Sequence, residues 1–165
     1  MSTIQLQPLH DEHWPILETF SLPLDQEKYT MLPRDLDHPL PEGVYPIVIT
    51  AGKPVGFFLL HDTERVASYT NHDDALLLSA FSINHADQRQ GYAKAALSRL
   101  PDYVCSQFPA VQEVVLSVNL KNEAAFALYE QVGFTDTGRR IDGPIGPQRI
   151  MSLKVNASAA SALDE

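Results

Sequence analysis

The run Ala75-Leu-Leu-Leu-Ser-Ala-Phe-Ser-Ile83 constrains the fold more than any other stretch. It is too short and too continuously apolar for an amphipathic helix, so it reads as a strand buried on both faces. Such a strand needs a covering layer on each side, which points to a mixed α/β sheet with helices on both faces. The polar, turn-like stretch Asn84–Gln90 follows, and then a helix from about Gly91 to Cys105. Pro101 sits inside that pattern and predicts a kink or an early end.

The other elements fit around this strand. Ile4–Pro8 alternates apolar and polar residues and reads as a short edge strand closed by Pro8. His10 to Phe20 reads as a helix capped by Asp11, with Trp14, Leu17 and Phe20 at helical spacing. Ser21 to Pro46 is broken by prolines into loop with one short helix, a natural place for substrate-contacting loops. Val44–Thr50 and Val55–His61 are β-rich runs joined by Ala51-Gly-Lys-Pro54, a hairpin signal. Glu113–Val118 is a further strand, and Asn122–Val132 a helix ended by Gly133. Phe134–Arg139 and Arg149–Val155 read as closing strands around Asp142–Pro147. Residues 1–155 thus read as a single domain, followed by a small, polar tail, 156–165, expected to be disordered.

Composition removes several function classes. Twelve Lys+Arg against 21 Asp+Glu leave a net charge of −9. That balance disfavours sequence-independent binding to nucleic acid or anionic lipid and suits a cationic small molecule or peptide. The single cysteine, Cys105, excludes an internal disulfide framework and any multi-cysteine zinc site. His10 and His13 are spaced like metal ligands on a helix, but no third partner is visible, and no metal is expected. The first eight residues carry neither a basic region nor an apolar one, and no apolar run is long enough to span a bilayer. A cytoplasmic protein without a membrane or nucleic-acid partner is the expectation; a homodimer stays open.

Chemistry enters at the turn after the buried strand. Gln88-Arg-Gln-Gly-Tyr-Ala93 opens a helix, and a helix N-terminus offers unpaired N–H groups and partial positive charge to an anion. Gly91 would let backbone approach a phosphate, with Arg89 adding charge; alternatively Gly91 merely relieves crowding at a strand-to-helix turn. The spacing lacks the glycines of a dinucleotide fingerprint and the Gly-Lys-Ser/Thr of a P-loop.

Gln88-x-x-Gly91-x-Ala93, directly after Phe81-Ser-Ile83, resembles the acetyl-CoA signature of the GNAT superfamily of N-acetyltransferases. Further on, Val118-Asn119-Leu-Lys-Asn122-Glu-Ala-Ala125-Phe-Ala-Leu-Tyr129-Glu-Gln-Val-Gly133-Phe134 resembles the superfamily's second motif. The resemblance implies a mostly antiparallel central sheet with CoA bound at a splayed strand pair. It implies that backbone amides of Arg89, Gln90, Gly91, Tyr92 and Ala93, with Gln88, hold the pyrophosphate. Phe81, Ser82 and Ile83 would pair with the pantetheine arm as a pseudo-strand, a familiar mode for an extended ligand at an open edge. Local amides would then hold a polyanion despite the global charge.

Asn122, Ala125 and Tyr129 share one helix face. Standing alone, Tyr129 could be a core residue and Asn122 an N-cap. The resemblance gives Tyr129 the protonation of the departing thiolate, and Asn122, with Asn119, contacts to the CoA arm. A phenol of pKa about 10 stays protonated above a thiol of about 8.5 and can donate. The base is undecided. Many relatives place a carboxylate on the buried strand, but here Leu76-Leu-Leu-Ser-Ala80 carries none. His61, His72, Asp73, Asp74 and a water chain are the candidates. Cys105 reads as a small core residue.

The leading reading is an acetyl-CoA-dependent N-acetyltransferase that works by direct transfer in a ternary complex. Alternatives are a non-catalytic acyl-CoA-binding or regulatory module on the same fold, or a nucleotide-binding domain. The expected acceptor is a small amine, such as a polyamine, or a peptide amine. Asp35 and Asp37 in the Pro-rich segment and Asp73-Asp74 before the buried strand are the acids expected to border its cleft. The Asp142–Gln148 pattern faintly resembles that of polyamine and diamine acetyltransferases.

Overall fold

In a computed structural model, residues 3–37 and 39–155 are described; the expected disordered tail, 156–165, lies outside them. The chain forms one seven-stranded sheet in the order β1-β2-β3-β4-β5-β7-β6. The strands are β1 (Gln5–Pro8), β2 (Val44–Thr50), β3 (Pro54–His61), β4 (Ala75–Ile83), β5 (Glu113–Asn119), β6 (Thr135–Gly143) and β7 (Gly146–Lys154). Only β4 and β5 run parallel; every other neighbouring pair is antiparallel. The helices are α1 (Trp14–Leu17), α2 (Leu24–Glu27), α3 (Tyr92–Gln107) and α4 (Glu123–Gln131).

β4 is the strand that the apolar run predicts, and its period-two alternation supplies both layers. Leu76 and Leu78 point into the larger core with Ala96, Leu97, Leu100 and Val104 of α3. Ala75 and Leu77 point the other way, onto Val66, Tyr69, Val115 and Ile150. Leu76 and Leu77 are at most 1% exposed, so each contributes about 1.5–3 kcal/mol of burial. Two faces, both dry, lock the register.

Several local readings change. The helix expected over His10–Phe20 becomes a 3-10 turn, Asp11–His13, followed by the short α1. His10, not Asp11, is the capping residue, and its backbone N–H donates to His13 Nδ1 at 2.9 Å. That contact gives the histidine spacing a role in closing the turn. α3 neither stops nor ends early at Pro101 but continues to Gln107. The closing hairpin is longer than expected, with Asp142 and Pro147 paired inside it. Pro147 is tolerated because it sits at the very end of the β5–β7 pairing, where its carbonyl accepts from Leu120 N–H at 3.1 Å and only the terminal reciprocal donor is lost.

Candidate active site

The parallel pair β4–β5 is joined only over Ala75–Leu77 and Glu113–Val115. Beyond Leu77 the two strands part, and the walls of the opening are Leu78–Ile83 on one side and Leu116–Asn119 on the other. The result is a cleft of about 1210 Å³. On β4 the split coincides with a bulge. Leu59 faces Ser79 and Phe57 faces Ser82, so β4 spends one residue more than β3 between them. Ala80 takes the extra step at φ +58°, a left-handed conformation that L side chains enter at a cost of about 1–2 kcal/mol. Backbone polar groups freed from the ladder here can face a ligand.

At the end of β4 the chain enters the Gln88–Ala93 loop. Gly91 is the N-cap of the 16-residue α3, at φ +81°, with no side-chain cap on the helix amides. A Cβ at Gly91 would meet nothing within 4 Å. Glycine therefore serves the left-handed turn and the open approach; the crowding alternative is excluded. Arg89 is itself left-handed, at φ +67°. Gln88 works as a tie: its Nε2 donates to Ile83 O at 2.9 Å and to Gln26 Oε1 at 2.8 Å, fastening the strand end to α2. Arg89, Lys94 and Lys121 add positive charge to this end of the cleft.

Of the residues singled out from sequence, Phe81, Ser82, Ile83, Gln88, Arg89, Gly91, Tyr92, Ala93, Asn119, Asn122 and Tyr129 all line the cleft. Gln90 does not line it and is exposed. Asn122 Oδ1 caps α4 by accepting from Ala125 N at 3.3 Å. Asn119 is 5% exposed and holds the strand end: Oδ1 accepts from Lys121 N, and Nδ2 donates to Ile145 O. Tyr129 is 9% exposed, with its ring edge-on to Phe81 and Phe134. Burial raises its phenol above the ordinary value, so it is protonated at neutral pH.

The candidate bases separate. His72 lies by the closed end of the split, where its Nδ1 sits 2.8 Å from Glu113 Oε1. His72, Asp73 and Asp74 do not line the cleft, and neither do Asp35 and Asp37. The carboxylates that do include Asp25 and Asp142, accompanied by Lys28 and Arg65. His61 is buried at 6% exposure, and its Nε2 is 2.6 Å from Ser79 Oγ. Burial, reinforced by the charge of Arg65, pushes its imidazole down to about 4. Ser79 is the one polar residue inside Leu76–Ala80, and its interruption of the apolar run is the signal in the sequence that marks it. Tyr69 and Ile141 also line the cleft; both sit in segments whose patterns signal only loop or closing strand.

Comparison with known proteins agrees with this geometry. The model of the acetyltransferase (GNAT) family matches residues 6–134. An uncharacterized N-acetyltransferase of Bacillus subtilis (strain 168), YbbJ, is 43% identical over 152 residues, spanning 90% of this chain and 95% of that protein. The aminoglycoside acetyltransferase AAC(6')-Ib, solved in complex with coenzyme A and kanamycin, superposes with a TM-score of 0.75 at 16% identity, over 97% of this chain and 99% of that one. Spermidine/spermine N-acetyltransferase SpeG from Vibrio cholerae, solved with manganese ions, superposes with a TM-score of 0.64 at 17% identity, over 96% of both chains. The two structural likenesses carry the fold.

Proposed function

The chain belongs to the GNAT acetyltransferase family, and on that premise we propose that it moves the acetyl group of acetyl-CoA directly to the amine of a small molecule, with both substrates bound at the split between β4 and β5. The observation that carries this reading is the split itself: a β4 edge left open beyond Leu77 and, one short turn (His85–Asp87) later, a helix N-terminus without a side-chain cap beside Arg89, all on one cleft. A flexible amide chain ending in phosphates matches that sequence of groups. The arm extends along Phe81–Ile83, and the pyrophosphate meets the amides of Arg89–Ala93, where helix amides and charge favour it.

In this reading the amine attacks the thioester carbon, the C–N bond forms, the C–S bond breaks, and Tyr129 gives its proton to sulfur. Its buried, protonated phenol suits that role. Direct transfer is supported by the position of Cys105, the chain's only thiol, in α3 and off the cleft. Positioning supplies most of the rate, with acid catalysis adding roughly 10²–10⁴-fold. On the acceptor side the mixed charges of Asp25, Asp142, Lys28 and Arg65 replace the acidic border expected for a polyamine. Of these four a polyamine would engage the two carboxylates, whereas an amine that also carries polar or anionic groups finds partners in the two cations as well.

The test is an acceptor screen with acetyl-CoA over polyamines, amino acids, aminoglycosides and peptides, reading free thiol. Tyr129→Phe keeps the ring packing and removes the donor. With the best acceptor, kcat should fall at least about tenfold while acetyl-CoA affinity is nearly unchanged. Equal kcat in the two proteins would return Tyr129 to the core.

A further inference from the structure

The strand that would carry the base has no acid, yet it places one polar side chain, Ser79, immediately before the bulge at Ala80. We propose that Ser79 receives the acceptor amine, its oxygen accepting a hydrogen bond from the attacking nitrogen, and that His61 behind it is the positioning residue that fixes the hydroxyl. This role rests on the transfer reading above.

Three observations converge on the pair. First, Ser79 lines the cleft where the strands part, two residues before Phe81, where the transfer reading lays the pantetheine arm. Second, it shares a sheet face with Leu77, whose neighbours are Tyr69 and Ile141. That is the face opposite α3 and α4, so the nitrogen would approach across the sheet from Tyr129. Third, the hydroxyl is held at 2.6 Å by a histidine that is itself 6% exposed and on a neighbouring strand. A serine held from behind has fewer rotamers to lose when it meets a substrate, and its oxygen is already aimed.

The arrangement also resembles a nucleophile with its base, which would acetylate Ser79 itself. The surroundings of His61 argue against that. Burial and the Arg65 cation hold the ring neutral, and among the described residues no carboxylate is hydrogen-bonded to it. A ring so reluctant to take a proton orients a hydroxyl better than it deprotonates one. The proton balance closes without charging either residue. The nitrogen sheds its proton to solvent through the open cleft as the C–N bond forms, Tyr129 protonates sulfur as the C–S bond breaks, and solvent returns a proton to the phenolate before the next turnover.

The experiment compares wild type with Ser79→Ala, His61→Phe and His61→Gln, using the best acceptor of the screen, varied at saturating acetyl-CoA. Ser79→Ala should lower kcat/KM for the amine about tenfold, the worth of one well-placed hydrogen bond, with the calorimetric affinity for acetyl-CoA unchanged. His61→Phe should show the same selective loss. His61→Gln, which keeps a hydrogen-bonding group behind the serine, should recover most of it, a rescue that general destabilisation would not give. Unchanged amine kinetics in Ser79→Ala would overturn the proposal while leaving the transfer reading intact. So would an acetylated Ser79 found by mass spectrometry after incubation with acetyl-CoA alone. If the wild-type protein shows no affinity for acetyl-CoA, the transfer reading falls and the role of Ser79 falls with it.

Discussion

A Cβ on Gly91 would meet open space, yet the residue sits at φ +81°, where glycine is favoured. Two substitutions therefore separate backbone from charge. Gly91→Ala should lower stability by about 1 kcal/mol through strain and leave most acetyl-CoA affinity. Gly91→Asp adds the same strain and a carboxylate beside the proposed pyrophosphate site, and calorimetry should show affinity lost. Equal affinities in the two variants would remove the phosphate from this loop. Thr30 gives a second test at this scale. Its Oγ1 is the one buried side-chain oxygen or nitrogen without a partner among the described residues, in a residue that lines the cleft. A buried hydroxyl left unpaired costs roughly 1–3 kcal/mol, so Thr30→Val, nearly the same shape, should raise Tm. A lowered Tm would mean that the hydroxyl is satisfied in solution.

Among the elements, α3 is the most informative, because its proline is where local reading and tertiary structure disagree. Pro101 withholds a donor from Leu97 O and still lies in mid-helix. Packing explains why the helix survives: Ala96, Leu97, Leu100 and Val104, each at most 1% exposed, seal one continuous stripe against the sheet, where α3 lies on β1 and β4. That burial outweighs a single proline penalty of about 3 kcal/mol. Pro101→Ala should accordingly stabilise the fold by about 1–3 kcal/mol, measured by urea denaturation; a loss of stability would show that the ring itself is part of the packing. The same contrast explains what the sequence made legible. β4 was plain from its apolar continuity, and the Gln88–Ala93 loop and the Asn122–Tyr129 face from short-range motifs. The bulge at Ala80 was hidden, since alanine carries no left-handed signal, and so was the His61–Ser79 contact, which depends on strand register. Asp73 and Asp74, which precede β4, fall away from the cleft, and this was not legible because a loop's charge does not reveal which end of the neighbouring strand opens. Register decides that, and it sets Ala75 opposite Glu113 at the closed end.

At the scale of the whole molecule, two buried titratable sites on the sheet make stability depend on pH in the same direction. Glu113, 4% exposed, ties β5 to β7 and to the loop before β4. Burial alone would push its carboxyl up, but hydrogen bonds from Ser152, His72 and Thr70, with the charge of His72, bring it below its ordinary value. A depressed carboxyl contributes stability above its unfolded pKa, and that contribution is lost as pH falls through the folded value. His61 acts at higher pH. Held down to about 4 in the fold, against about 6.5 when unfolded, it binds fewer protons folded than unfolded throughout that window. Acid therefore favours the unfolded chain, by at most about 3 kcal/mol once pH has dropped from 6.5 to 4. His13, also lowered by burial, adds in the same sense. The His61 share can be isolated with His61→Gln, which retains His13 and Glu113. Urea denaturation at pH 7.5 and pH 5 should show the wild type losing about 1–2 kcal/mol more than the variant over that interval, with both still losing stability below pH 4.5 as Glu113 is protonated. Parallel losses between pH 7.5 and 5 would mean that His61 titrates normally and is not sealed behind Ser79.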